Sequence, residues 1–343
     1  MDVANRFMRS ATHDFMADDQ GRITDAQVEL YRSLARGGVG LIVTGHAYVR
    51  RDGRCSLGMI GIDDDDKIPG LARLARAVHD TGEARLMAQI NFGGAQVVPA
   101  LRSGELLAPS PREDVVEARA FTDAEASEIV ACYVEAARRA AEAGLDGVQI
   151  HGAHGYFVNQ TLSPLTNRRT DGWGGGLEGR ARMLFEIVAG IRRRVGRGLP
   201  LLLKLASHDA LPTGLKLEDA VEAARRAEAL GLDAIEVSGG MRPGMNMRKP
   251  TGPENEGFFL EQARAFKAAL DIPVASVNGW RSLGRMREAV GSGLVDIISI
   301  CRPLIREPDL VHRLRAGDQQ ASTCISCNEC LKRQQSLRCW AAP

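Results

Sequence analysis

Eight times along this chain a short apolar, β-rich run is followed by an amphipathic Ala/Arg/Glu stretch, and that repeated grammar limits the folds open to it more than any single residue does. The runs predict buried strands at 5–10, 40–44, 85–90, 147–151, 199–205, 234–238, 273–276 and 296–300. Helical periodicity falls near 24–36, 68–81, 123–143, 178–195, 217–230, 257–270, 281–291 and 306–315. The junctions share a logic: in 143–148 and 230–235 a Gly ends the helix where positive φ is needed, and an Asp turn feeds the next strand. A doubly wound sheet uses the same units, but eight strands followed by eight helices favour a closed (β/α)8 TIM barrel. At 343 residues the chain exceeds an ordinary single core, which one such α/β barrel accommodates. The expected division is a barrel over 1–316 and a short Cys-rich C-terminal tail over 317–343. Two long Gly/Pro-rich connections, 91–122 and 239–256, follow the C-terminal ends of strands three and six, where barrels carry active-site loops and lids.

Composition excludes some partners. The 44 Lys and Arg against 43 Asp and Glu give a net charge of +1, so no global field points to nucleic acid or an anionic membrane. No run approaches the roughly 18 apolar residues of a membrane span, and the N-terminus lacks the pattern of a secretory signal, so a cytoplasmic location is expected. In a reducing compartment, three cysteines within seven residues, Cys324, Cys327 and Cys330, with Cys339 behind them, suggest metal or redox chemistry rather than disulfides.

In a barrel the strand C-termini converge on one mouth. That makes Thr12, His13, His46, Gln89, His151, His154, Tyr156, Lys204, Ser238, Gly239, Gly240, Asn278, Gly279, Cys301 and Arg302 the candidates for chemistry. The densest local group is Gln149-Ile150-His151-Gly152-Ala153-His154-Gly155-Tyr156, with two imidazoles and a phenol within six residues after strand four. Imidazoles can hold an oxygen by N–H donation, and a phenol can deliver a proton to a developing carbanion. A lone His would more often be a satisfied loop or core residue. No nearby carboxylate or third His in this segment completes a zinc set.

The stretch from His151 through Asn167, Arg168, Asp171, Glu178 and Arg180 to Arg182 closely resembles the long signature of the Old Yellow Enzyme family, FMN-dependent ene-reductases. Asn5-Arg6, Gln89, Ser238-Gly239-Gly240, Asn278-Gly279 and Arg302-Pro303-Leu304-Ile305 stand where that family places its supporting pieces, so the resemblance covers about 3–315. It implies a TIM barrel holding one FMN, with NADH or NADPH giving hydride to the flavin and a small unsaturated substrate taking it at an activated C=C bond. His151 and His154 would hold the substrate oxygen, and Tyr156 would be the acid. The FMN residues would be Ser10, Ala11, Thr12, His13, His46, Gln89, Lys204, Ser238, Gly239, Gly279, Cys301 and Arg302. Gly279, Cys301 and Arg302 suit a phosphate. Gln89 suits the flavin pyrimidine edge. Lys204, a cation on a strand buried on both faces, needs an anionic partner, expected to be the reduced flavin. The chain departs from the pattern with Lys204 for Arg, with Arg9-Ser10-Ala11-Thr12-His13 as the turn that places either Thr12 or His13 at the flavin, with His46 for a small residue and with Cys301 for Gly or Ser. A homo-oligomer is expected from the family alone.

Cys324, Cys327, Cys330 and Cys339 resemble the cluster-binding tail of the dienoyl-CoA reductase and trimethylamine dehydrogenase branch, which implies a 4Fe-4S centre. Four thiolates equally satisfy tetrahedral zinc, and unligated thiols are the third reading. Two other functions use the same scaffold: a flavin-free lyase or isomerase with Lys204 as a Schiff-base amine, and a carrier of a bilin or redox ligand.

Overall fold

The computed structural model describes residues 1–241, 253–332 and 336–341. Among them, eight parallel strands close into a barrel: β1 (Phe7–Arg9), β2 (Leu41–Tyr48), β3 (Arg85–Asn91), β4 (Gly147–Gly152), β5 (Leu201–Ala206), β6 (Ala234–Ser238), β7 (Val274–Val277) and β8 (Ile297–Ile300). Closure is made by β1, which pairs with β8 at Phe7↔Ile298 and with β2 at Met8↔Leu41. The principal outer helices are α1 (Asp25–Arg36), α2 (Ile68–His79), α3 (Asp123–Glu142), α4 (Leu177–Val195), α5 (Leu217–Ala229), α6 (Leu260–Ala269), α7 (Leu283–Gly291) and α8 (Leu310–Arg315). The expected strands and helices are therefore present, with ends shifted by a few residues. Capping boxes open α1 (Thr24 with Gln27) and α3 (Thr122 with Glu125), each side chain satisfying the other residue's free amide.

Strand alternation divides the core in two. One set of side chains packs outward against the helices. The other fills the barrel, where Met8, Leu41, Val43, Met87, Leu202, Ala234 and Ala275 form a small apolar plug. Two residues further along the same strands, on the same face, Met8 gives way to Ser10, Met87 to Gln89, Leu202 to Lys204 and Ala234 to Glu236. The interior thus turns from apolar to polar as it rises toward the C-terminal mouth.

Connection 91–122 is not the plain loop that its Gly/Pro content suggested. Leu106–Ala108 pairs with Ala118–Ala120, and these strands pack with Tyr48, Cys55, Met59 and Val97 into a satellite core against which Tyr156 rests. Three-residue strands are too short to show a period, which is why the sequence hid them. A short helix, Phe157–Leu162, and another, Pro303–Arg306, were likewise not anticipated. Of connection 239–256, residues 242–252 lie outside the described residues. The tail returns to the barrel: the Ser322 amide donates to the Arg281 carbonyl, and Arg281 Nε to the Cys324 carbonyl.

Candidate active site

The signature after β4 turns sharply back over the mouth, with His154 at φ +64° and Gly155 at φ +79°. His154 pays the cost of an αL conformation, which bulky residues adopt where surroundings over-determine them. Asn159 Oδ1 accepts from the Gly155 amide and Gln160 Nε2 donates to its carbonyl, fixing the turn from the following helix.

This turn brings His151, His154 and Tyr156 together with two residues from distant segments. Ring centroids lie 5.2 Å apart for His151 and His154, 4.7 Å for His151 and Tyr156, 5.1 Å for His46 and Tyr156, 5.8 Å for His46 and His151, and 5.0 Å for His13 and His46. Burial, the largest influence in each case, depresses all four imidazoles: His13 to about 4, His154 to about 3, and His46 and His151 well below the ordinary value. Neighbouring charge adds to the effect, from Arg54 on His13 and from Lys204 on His151 and His154. All four are neutral near pH 7, as donors that polarise without carrying charge should be.

The hydrogen bonds divide the two signature histidines. His154 uses both ring nitrogens, Nδ1 with His151 Nε2 at 3.1 Å and Nε2 with Ser238 Oγ at 2.8 Å. His151 Nδ1 is buried with no hydrogen-bond partner among the described residues. Tyr156 packs against the satellite core that holds Cys55, whose thiol burial pushes up to about 12. His46 Nδ1 lies 3.2 Å from Asn91 Nδ2.

Of the turn residues, Ser10 faces the barrel interior. Thr12 is drawn inward by the Arg9 guanidinium, the Ser10 carbonyl at 3.0 Å and Cys301 Sγ at 3.0 Å. His13 instead points to Ser56 Oγ at 2.7 Å and packs at a tilt against Phe15, with ring centroids 4.0 Å apart. Ala11 packs against the apolar plug.

Lys204 corrects one expectation. Its anionic partner is already supplied by Glu236, 3.1 Å away and wholly buried, while its Nζ also donates to Ser10 Oγ at 2.7 Å. Burial works to raise the Glu236 carboxyl, but Lys204, Ser10 and Ser299 together hold it below the usual carboxylate range. An amine committed to this ion pair is no free nucleophile, which argues against a Schiff-base enzyme. Glu236 was missed in the sequence. The signal was there: a lone carboxylate at the centre of Ala234-Ile235-Glu236-Val237-Ser238, two residues from Ser238 and so on the same face. Gln89 Nε2 donates to Gln149 Oε1 at 2.8 Å, which joins it to the same network.

At the β7 and β8 ends, Asn278 and Gly279 both have φ +88°, and Arg302 donates to Asn278 Oδ1 at 2.9 Å and to Asn328 Oδ1 of the tail at 2.6 Å. Gly239 lies against Phe259, with no room for a side chain. These residues fit an FMN. A buried cation and a Gln edge sit in the barrel, an unpaired imidazole nitrogen lies on the neighbouring strand beside the cation, and a guanidinium flanks the left-handed turn of Asn278 and Gly279. Among the described residues no three His, Cys, Asp or Glu converge as ligands, all the cysteines are free, and Cys339 Sγ is held by Arg306 at 3.4 Å. No helix among the described residues is long and apolar enough to cross a membrane.

The profile described as "NADH:flavin oxidoreductase / NADH oxidase family" matches residues 1–320. A metal reductase of Desulforamulus reducens is 36% identical over 96% of this chain and 49% of its own length. An NADPH dehydrogenase of a Geobacillus species is 33% identical over 89% of this chain and 88% of its own. The solved structure of a 2-naphthoyl-CoA reductase with 2-naphthoyl-CoA superposes with a TM-score of 0.88 at 30% identity, covering 95% of this chain and 52% of that one. The chain thus spans about half the length of the metal reductase. With the barrel, the signature turn and the match over 1–320 in agreement, the chain belongs to the NADH:flavin oxidoreductase / NADH oxidase family, the Old Yellow Enzyme family that its signature resembles.

Proposed function

We propose that this protein binds FMN, oxidises NADH or NADPH, and reduces the activated C=C bond of a small substrate whose carbonyl or nitro oxygen is held at the mouth. The observation that carries the reading is the buried, unpaired Nδ1 of His151 beside the Tyr156 ring. The flavin, when bound, supplies hydride chemistry.

The chain's own residues do the rest. Of the two neutral arrangements that satisfy the relay, we take the one in which Ser238 Oγ–H donates to His154 Nε2 and His154 Nδ1–H donates to His151 Nε2. His151 Nδ1 then carries a proton that it can donate to the substrate oxygen as negative charge builds there. On this reading His154 orients His151 instead of sharing the oxygen with it. Tyr156, braced by Cys55 and the satellite core, delivers the proton to the α-carbon. Gln89, Lys204 and Ser10 would face the flavin pyrimidine end, and Gly279, Cys301 and Arg302 its phosphate.

The test is a pair of half-reactions on the reconstituted protein. Wild type should hold a yellow flavin through gel filtration, bleach with NAD(P)H under nitrogen and recover colour with an enone or nitroalkene. Tyr156→Phe should bleach normally and recover at least tenfold more slowly, within the usual range for losing a general acid. Equal loss in both halves removes Tyr156 from the acid role. Retention of ligand with no turnover favours a carrier.

A further inference from the structure

Lys204 and Glu236 face each other in register across β5 and β6. Glu236 spends both oxygens inside the barrel. Oε1 accepts from Ser10 Oγ at 2.7 Å, Ser299 Oγ at 2.7 Å and Lys204 Nζ at 3.1 Å, and Oε2 accepts from Gln149 Nε2 at 3.0 Å. Gln149 in turn accepts from Gln89, so β3, β4, β5, β6 and β8, with Ser10 just past β1, all contribute to one network around one carboxylate. Stability is a weak reason for such a pair, because desolvating two charges offsets most of their attraction and an apolar pair of like volume packs as well. Electrostatics gives a better one. A lone ammonium below the mouth would present a full positive charge to whatever lies above it. With a carboxylate 3.1 Å away it presents only a dipole, and an anion above it gains much less.

Resting on the FMN reading above, we propose that Glu236 is a positioning residue that sets the flavin's reduction potential: it offsets the charge of Lys204, and the surrounding hydroxyls and amides keep the pair in register. The reduced, anionic flavin is then less stabilised than a free Lys204 would make it, and it is a stronger hydride donor.

The measurement is the midpoint potential of the FMN-loaded protein at pH 8, by dye-equilibrated spectral titration, with circular dichroism as the check on folding. Glu236→Gln should raise the potential by about 30 mV or more, equivalent to at least a tenfold change in the two-electron equilibrium. Glu236→Asp, which keeps the charge, should return it toward wild type. The double variant Glu236→Gln with Lys204→Met is neutral, as the native pair is, and should stay near wild type. An unmoved or lowered potential in Glu236→Gln overturns the proposal. So does a double variant as high as Glu236→Gln, since the shift would then not act through Lys204. Should Glu236→Gln not fold, Lys204→Met carries the test with the opposite sign, and a potential that does not fall overturns it. Wild type that takes up no FMN overturns the flavin reading itself, whereas unmoved potentials in loaded protein overturn only the role of Glu236.

Discussion

The four neutral imidazoles make the fold sensitive to acid in a calculable way. His13 titrates at about 4 and His154 at about 3 in the folded chain, against 6.5 when exposed. Because the folded values are depressed, the unfolded chain binds protons more readily between 6.5 and those values. The stabilisation is therefore complete above 6.5 and is lost as the pH falls toward the folded values. At pH 5 each of the two costs about 2 kcal/mol. Asp14 acts in the opposite sense: burial raises its carboxyl to about 6, above the bonds from Met16, Tyr31 and Gln27 that pull it down. The fold binds that proton first, which returns about 1 kcal/mol at pH 5. The net loss from pH 7 to pH 5 is thus about 3 kcal/mol, with His46 and His151 adding in the same direction. Urea unfolding of the flavin-free protein at the two pH values measures it. In His154→Gln the loss between the two should shrink by about 2 kcal/mol, whatever the variant's stability at pH 7. An identical pH dependence in variant and wild type, or an NMR titration placing His13 or His154 above pH 6, would refute the argument.

Other expectations follow from single contacts. Gly279→Ala forces a side chain onto φ +88°, with its Cβ 2.4 Å from the Asn255 carbonyl oxygen. It should cost about 2 kcal/mol or more in thermal unfolding and weaken FMN retention, and an unchanged midpoint would mean the turn is not held as described. For the tail, the thiols as arranged predict less than one metal ion per chain after anaerobic purification. Four iron and four labile sulfide per chain would show that Cys324, Cys327, Cys330 and Cys339 rearrange around a cluster.

The barrel was readable because its physics is local. A buried parallel strand must be apolar at nearly every position, a covering helix must be amphipathic, and Gly is favoured at the helix-to-strand junctions where φ turns positive. The segment from His151 to Tyr156 was readable for a related reason: one strand end and one turn carry all three side chains, so their proximity needs no long-range contact. The short strands of 106–120 gave no such signal, because their apolar face is completed by Tyr48 at the end of β2 and by Cys55 and Met59 beyond it.

What the chain order could not decide was which groups share a charge or a proton. Lys204 announces by its setting that an anion must lie nearby, but Glu236 is 32 residues away, and only closure of β5 against β6 makes it that anion. His46 and His13 read as isolated departures until β2 carries His46 to Tyr156 and His151 and the β1 turn sets His13 against His46. The division of labour between His151 and His154 depends on Ser238, 84 residues from His154 in sequence. Secondary structure follows from short-range sterics and hydrophobic period, which a sequence displays directly. Ionisation and hydrogen-bond direction depend on distances of a few ångströms between distant segments, and these exist only once the barrel has closed.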